Sequence, residues 1–301
     1  MMSPENSLPE IHISSHTAFQ PAILGWEKFL KDQGKSPYTI KAFLGDIYLL
    51  ASFLAPDKTI GDVSTNDLNN FLNWLEKGRG VPCSPKSYAR RITSIKSFFR
   101  WLQKFGATTL DPAEKIVQKS VISPIPEVLT PVEEAAVLEE ALKLRTAQTP
   151  DARPYTLLKL LLDTGIKKGE CLAININHLD LDAPQGPFLF VRYTSAASRY
   201  KERKVALTDE WITACKEYLE QYKPAEQLFP WSPRRLEYLL EDLSKAAGLT
   251  KHLSFDMCRW TSVLNDWRSG TDHDKIRQKL GISRIQWREI SAKLRKLAGE
   301  A

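Results

Sequence analysis

The chain has 301 residues, of which 43% are hydrophobic and 26% charged, a balance typical of a soluble globular protein long enough for two domains. Its formal net charge of +6 permits a polyanionic partner without requiring one. Its apolar runs are far too short to span a membrane and no signal peptide is evident, so a cytoplasmic protein without a membrane partner is expected. The widely spaced Cys83, Cys171, Cys215 and Cys258 predict reduced thiols, and neither a metal site nor a cofactor is expected.

The N-terminal part of the chain predicts a small helical domain. Residues 1–18 are polar and rich in serine and proline, so they are expected to be disordered. Apolar residues at spacings of three and four then predict helices over 19–31, 36–54, 64–76 and 84–104. Together they indicate a helical domain over 19–106. Glycine and proline residues beyond Gly106 predict a linker over 107–128.

The fourth of these helices carries an unusual concentration of positive charge. No acidic residue lies between Ser84 and Phe105. A cationic face of this kind favours contact with a phosphate backbone, although a merely solvated basic face is the alternative. The cationic residues expected to bind DNA in this domain are Lys86, Arg90, Arg91, Lys96 and Arg100 of this helix, together with Lys41 of the second.

The remaining residues, 129–301, predict a second domain. Thr130 followed by Pro131 and Glu133 has the pattern of a capped helix start, and helices are expected over 131–145 and 153–163. Two short apolar segments, 188–191 and 204–207, then predict strands, and the pattern is helical again from Asp209 onward. The expected fold class is mainly α with a small antiparallel β-sheet.

Several motifs of the chain resemble those of tyrosine recombinases of the phage integrase family (XerC/XerD-like). Thr164–Gly165 through Glu170 is similar to the family's T-G-x-R-x-x-E segment, and residues 201–207 are similar to its K-E-R-x-V-P-L hairpin strand. Residues 256–259 fall on the H-x-x-R motif, and residues 280–282 fall on L-G-H. The first domain is similar to the family's core-binding domain. The resemblance covers roughly residues 19–295.

This resemblance implies a helical, SAM-like core-binding domain followed by a catalytic-type domain, with double-stranded DNA as the partner held between them. In the family a tyrosine attacks the phosphorus atom, and two arginines with a histidine or lysine stabilise charge on the phosphate oxygens. A hairpin lysine protonates the leaving 5′-oxygen. The resemblance therefore implies DNA recombination or integration as the family activity.

The residues at the corresponding positions depart from that pattern. No tyrosine occurs between Leu239 and Ala301. A serine hydroxyl at the tyrosine position is a poor nucleophile without a base, and no histidine lies near it in sequence; His273 is expected to be a surface residue. The family-equivalent positions carry Lys167 for the first arginine, Ser198 for the hairpin lysine, Asp256 for the histidine of H-x-x-R, Arg259 for the second arginine, Ile282 for the histidine of L-G-H and Ser291 for the tyrosine.

These departures favour a DNA-binding protein of recombinase fold that does not cut or join DNA and has an architectural, regulatory or partner role. An active recombinase with a shifted or partner-supplied nucleophile is the alternative from the enzyme class, and a helical protein-interaction scaffold is the other. Lys201, Arg203 and Arg259 are expected to bind DNA in the second domain. For Lys167 and Arg259, structural pairing with Glu170 or Asp256 is equally open.

The last helix predicts an assembly contact. Ile290, Leu294 and Leu297 share one face of it, with cationic residues on the rest. This pattern favours docking on its own second domain, on that of another copy, or on an active recombinase. A frayed, solvated tail is the alternative.

Overall fold

The computed structural model describes residues 12–81, 83–117 and 124–300. The chain divides into two compact units, Met1–Pro124 and Ile125–Ala301, each with its own core. The division falls inside the segment expected to be a linker. Each unit is described separately below.

Four helices form the first unit, and their starts follow the local sequence. The Ser36 hydroxyl accepts a hydrogen bond from the Thr39 amide, and Ser64 forms a capping box with Asp67. Large aromatic side chains such as Trp26 and Phe98 fill the core between the helices and are fully buried. The helices are α1 (Phe19–Asp32), α2 (Pro37–Phe53), α3 (Thr65–Asn73, continued by a π-helical turn over Trp74–Gly78) and α4 (Pro85–Lys104).

The segment before α1 is packed where the structure describes it. Ile13 is only 6% exposed and belongs to the core of the first unit, and the Gly61 amide donates to the Ser15 carbonyl at 2.8 Å. The expected disorder of residues 1–18 is therefore wrong for residues 12–18, because one apolar side chain and backbone pairing anchor them. Residues 1–11 lie outside the described residues.

The linker predicted over residues 107–128 begins later in the structure than expected. Ala113 and Ile116 are buried in the core of the first unit. The Thr65 hydroxyl donates to the Pro112 carbonyl at 2.8 Å, and Asp111 caps the turn by accepting from the Ala113 amide. Residues 107–117 therefore belong to the helical unit, since glycine and proline mark turns here that remain packed. Residues 118–123 of the predicted linker lie outside the described residues.

The second unit combines helices with one three-stranded antiparallel sheet. The strands are β1 (Leu179–Asp180), β2 (Phe188–Val191) and β3 (Arg203–Ala206), in the order β1-β2-β3, and Leu189 lies opposite both Leu179 and Val205. A 3₁₀ turn, Ala196–Lys201, lies between β2 and β3. The helices are α5 (Pro131–Arg145), α6 (Arg153–Thr164), α7 (Lys168–Leu172), α8 (Asp209–Tyr222), α9 (Pro233–Ala246), α10 (Phe255–Arg268), α11 (His273–Lys279) and α12 (Arg284–Ala298).

Two apolar clusters hold this unit together. Leu189, Val191 and Val205 bury one face of the sheet in the larger cluster, which also contains the nearly continuous apolar run of α6. The smaller cluster joins α10, α11 and α12, with Leu294 of α12 fully buried. The last helix thus docks on its own unit, and the alternative of a frayed tail is wrong. The expected fold class, mainly α with a small antiparallel sheet, is confirmed.

Within the described residues, no helix combines the length and apolar character that crossing a membrane requires.

The packing of α12 leads to a test of stability. Replacing the buried Leu294 by alanine should lower the free energy of unfolding by about 2–5 kcal/mol, because the lost contacts leave a cavity among α10, α11 and α12. Replacing the exposed Lys296 of the same helix should change it by less than about 0.5 kcal/mol. Urea denaturation measures both values, and equal small effects would contradict the docked helix.

Candidate phosphate site and DNA-binding surfaces

The candidate site in the second unit forms where α6 ends. Gly165 closes α6 in the left-handed conformation, with φ of 59°, and its amide donates to the Leu161 carbonyl at 2.9 Å. A Cβ atom at Gly165 would lie 3.2 Å from the Ser262 hydroxyl of α10. The chain therefore turns sharply here and carries Lys167 and Glu170 to positions beside α10.

A buried ion pair between Glu170 and Arg203 lies at the centre of the site. Arg203 donates Nη1 to Oε1 of Glu170 at 3.0 Å and Nη2 to Oε2 at 2.9 Å. The carboxylate also accepts hydrogen bonds from the Tyr193 hydroxyl and, at 2.8 Å, from the Lys167 amide. Burial raises the pKa of Glu170, but the bonds and charge of Arg203 outweigh burial and hold the pKa at about 2. The same carboxylate and burial raise the pKa of Tyr193 to about 12.

Arg203 was expected to bind DNA, and in this structure its side chain is bonded within its own unit. Its side chain is 9% exposed. In addition to the two bonds to Glu170, its Nε donates to the Lys279 carbonyl at 2.5 Å. Gly281 packs against the guanidinium, and a Cβ atom there would lie 2.6 Å from Nη1. Because its donors are used inside the unit, Arg203 is a positioning residue that ties β3 to α7 and to the turn after α11.

Arg259 is likewise held by backbone groups. Its Nη1 donates to the Gly165 carbonyl, and Nη2 donates to the Leu280 carbonyl at 3.1 Å. Among the described ion pairs, none joins it to Glu170 or Asp256. Burial lowers the pKa of Arg259 to about 10, and the nearby charge of Arg203 adds to the decrease.

A cavity of about 410 Å³ lies beside this guanidinium. Lys167, Asp256 and Arg259 line it together, so the structure brings three of the family-equivalent positions to one place. Burial lowers the pKa of Lys167, and the charges of Arg259 and Arg203 act in the same direction. His252 also lines the cavity, and sequence reasoning missed it because it lies outside the motifs.

The cavity mixes charges of both signs. Lys168 pairs with Glu237 at 2.6 Å across its wall, while Asp256 is exposed in the first turn of α10. No ion pair joins Lys167 to Asp256 in the part of the chain that the structure describes. The cavity therefore presents the cations of Lys167 and Arg259 to a phosphate group, but the exposed carboxylate of Asp256 lines the same cavity.

Three further family-equivalent positions have local roles. Ile282 is 7% exposed and packs in the cluster with α11 and α12. The Ser291 hydroxyl donates to the Arg288 carbonyl of its own helix at 3.2 Å. Ser198 lies in the 3₁₀ turn between β2 and β3, near Lys201. His273 is exposed, as expected, and its ring stacks on that of Trp267 of α10, with ring centroids 4.2 Å apart.

In the first unit, a carboxylate that is distant in sequence neutralises part of the basic helix. Asp46 of α2 is 3% exposed and accepts from Arg90 Nη2 at 2.8 Å and from the Ser94 hydroxyl at 2.8 Å, and Arg91 Nε lies 3.6 Å away. Burial raises the pKa of Asp46, while Ser94 and the two arginines oppose the increase. The Arg91 side chain is only 12% exposed, so little of it is accessible for the phosphate contact expected of it.

The other basic side chains of the first unit that were expected to bind DNA differ in their solvent exposure and in their partners. Arg90 keeps 40% of its side chain exposed despite its pairing, and Lys96 Nζ donates to the Glu114 carbonyl at 3.4 Å. Lys41, Lys86 and Arg100 are exposed, and none of them forms an ion pair among the described residues. These three side chains remain open to an external anion.

Comparison with known proteins decides the family. The model for the phage integrase family matches residues 127–290, and the model for the phage integrase N-terminal SAM-like domain matches residues 23–106. The chain belongs to the phage integrase family. Tyrosine recombinase XerD of Listeria innocua serovar 6a is 24% identical over 288 residues, covering 88% of this chain and 91% of the relative. Tyrosine recombinase XerC of Corynebacterium glutamicum is 25% identical, covering 85% and 82%.

Solved structures of family members share the fold. A lambda integrase dimer bound to a COC′ core site superposes with a TM-score of 0.69 at 17% identity, covering 89% of this chain and 93% of that one. The XerH site-specific recombinase bound to its difH substrate has a TM-score of 0.67 at 17% identity, covering 92% and 83%. This chain therefore shares the fold of these two proteins.

The Glu170–Arg203 pair leads to a pH-dependent prediction. Replacing Glu170 by glutamine should lower the free energy of unfolding by about 3 kcal/mol near neutral pH, because Arg203 keeps its burial and loses its counter-charge. The folded-state pKa of Glu170 lies below its ordinary value of 4.5, so the ionised pair stabilises the fold above 4.5 and loses this effect as the pH falls toward about 2.

Urea denaturation of both proteins at pH values from about 7 to about 3 tests this. The difference between wild type and the glutamine variant should shrink by about half at the acid end. The Glu220→Gln change on the outer surface of α8 is the control and should leave stability nearly unchanged. A difference that stays constant over this range would contradict the proposed ionisation.

Proposed function

We propose that this family member binds duplex DNA without cutting or joining it. The observation that carries the proposal is the state of two family-equivalent positions: Ser291 bonds to a carbonyl of its own helix, and Ile282 is buried in an apolar cluster. Neither residue supplies the phenol or the imidazole that the family chemistry uses.

The chemistry of phosphodiester cleavage explains why these changes matter together. The reaction needs an activated nucleophile, a proton donor for the leaving oxygen, and cations that stabilise the phosphorane-like transition state. Here Asp256 adds negative charge at the cavity mouth, and Lys167 replaces the forked guanidinium with a single ammonium group. Loss of one such contributor commonly costs a hundredfold or more in rate, and several are altered together.

The surface of the first unit supports contact with DNA. Lys41, Lys86 and Arg100 are exposed and form no ion pair with any of the described residues. In the second unit Lys201 is half-buried beside two tyrosine rings and forms no ion pair among the described residues. The solved relatives include lambda integrase and XerH in complexes with DNA, which supports the same class of partner for this chain.

A protein of this kind would act in recombination or integration as an architectural, regulatory or inert partner component. The two experiments below separate this proposal from two alternatives. One is an active recombinase with a shifted or partner-supplied nucleophile, and the other is a scaffold that has lost DNA binding. Self-association or contact with an active recombinase through α12 would have to use the face that remains open after Leu294 is buried.

The first experiment is a salt titration of duplex binding. The log–log slope should fall by about two units when Lys86 and Arg100 are both replaced by alanine, because each phosphate contact releases about one counterion. The matched control replaces Lys28 and Lys31 of α1, whose removal should leave the slope unchanged. Fluorescence anisotropy at several salt concentrations measures the slopes. Absence of duplex binding at low salt would favour the scaffold.

The second experiment tests for cleavage with a nicked suicide substrate, which traps a covalent adduct because the freed fragment diffuses away. No adduct should form between about pH 6 and pH 9, where a perturbed acid or base could act. Ser291→Tyr alone should not restore it, since the phosphate-stabilising groups would still be altered. An adduct of the unmodified chain, alone or with an active recombinase, and mapped to any of its residues, would establish the enzyme instead.

A further inference from the structure

A second concave site of the second unit is lined by Arg203. It is a cavity of about 380 Å³ between the turn that precedes β3 and the start of α12. Its volume falls in the range of small-ligand pockets. The residues that matter for its chemistry are Tyr200, Lys201, Glu202, Arg277, Gln278 and Ser283.

The most unusual side chain of this cavity is Tyr200, which is 73% exposed. The Lys201 ammonium lies 5.1 Å from the centre of its ring and 6.0 Å from the centre of the Tyr193 ring. No hydrogen bond to the Tyr200 hydroxyl occurs among the described residues. An aromatic ring left in solvent beside a cation can stack on another flat ring, and a nucleotide joins such a ring, its base, to a negatively charged phosphate.

The polar groups of the cavity fit a nucleotide better than an apolar ligand. Gln278 is exposed, and its side-chain amide forms no hydrogen bond among the described residues, so it can both donate and accept toward the edge of a base. Arg277 uses Nε for Asp274 at 2.9 Å and Nη1 for the Ile282 carbonyl at 3.3 Å, which fixes the guanidinium and leaves Nη2 for an external acceptor.

The acidic groups near the cavity have partners within the unit, although Glu202 forms no ion pair among the described residues. Glu202 accepts from the Tyr193 amide at 2.9 Å, and Asp274 is held by Arg277. Ser283 caps α12 by accepting from the Gln286 amide. The side chains that remain available are therefore a ring, an amide and cations, which is the set that binds a base and its phosphate.

We propose that this cavity binds one unpaired nucleotide of a DNA strand, with Tyr200 stacking on the base, Gln278 bonding to its edge, and Lys201 and Arg277 contacting its phosphates. The inference rests on the proposed DNA binding and adds a substrate preference: DNA that carries an unpaired base binds more tightly than the same duplex fully paired. An unpaired base is favoured because no base-pairing energy is lost when it enters the cavity.

The test compares a fully paired duplex with one that contains a single extra adenine, with 2-aminopurine replacing that adenine for fluorescence. The bulged DNA should bind about tenfold more tightly, as expected for one stacked base, and its fluorescence should be quenched on binding. Tyr200→Ala and Gln278→Ala should each remove most of this preference while leaving binding of the paired duplex unchanged. Both residues are exposed, and thermal unfolding of the variants checks that they fold.

Tyr238→Ala is the matched control, since Tyr238 is 41% exposed on α9 and lies outside this cavity. Equal binding of the two DNAs, or a preference that survives Tyr200→Ala, would overturn the inference and leave the proposed function standing. Failure of both DNAs to bind would instead overturn the proposed function. Binding of free deoxyadenosine monophosphate with no preference for bulged DNA would also overturn the inference, since the ligand would then be a free nucleotide.

Discussion

The bidentate contact between Glu170 and Arg203 is the interaction on which the arrangement of the second unit depends. It joins α7 to β3, and through the Lys279 carbonyl it reaches the turn that leads into α12. A buried ion pair has a high desolvation cost, and here the Tyr193 hydroxyl and the Lys167 amide satisfy the remaining carboxylate acceptors. The pair therefore contributes most by fixing geometry. Through the Lys167 amide it is connected to the cavity that Lys167 and Arg259 line, and Arg203 itself lines the cavity of Tyr200.

This geometry is compatible with the proposed function, in which the family fold is kept without the family chemistry. Arg259 bonds to the carbonyls that end α6 and α11, so its guanidinium is needed for the local structure whether or not a phosphate binds. Ile282 contributes apolar area to the cluster that docks α12. An isoleucine and a serine at these two positions are thus compatible with a packed unit, because Ile282 itself packs in the cluster and Ser291 lies on α12 one turn before the buried Leu294.

Much of the fold could be predicted from the sequence, since apolar periodicity and capping residues are local. The spacing of Phe188 and Val191 fixed the bounds of β2, and Thr130 with Glu133 marked the start of α5. The site was harder to predict because its contacts join distant residues. Asp46 and Arg90 are 44 positions apart in the sequence, and Glu170 and Arg203 are 33 apart. The basic helix α4, which contains no acidic residue, is therefore paired with a buried carboxylate of another helix. The solvent exposure of single side chains could not be predicted either, because nothing in the local sequence distinguishes the exposed Tyr200 from the half-buried Tyr193.

The most direct measurement of the central claim reads binding and strand integrity in one sample. The protein is incubated with end-labelled duplex, half of the sample is treated with hydroxyl radicals, and both halves are run on a denaturing gel after protease digestion. The account predicts a protected stretch in the treated half and fully intact strands in the untreated half. A protein-dependent strand break in the untreated half, at a fixed position within the protected stretch, would contradict it.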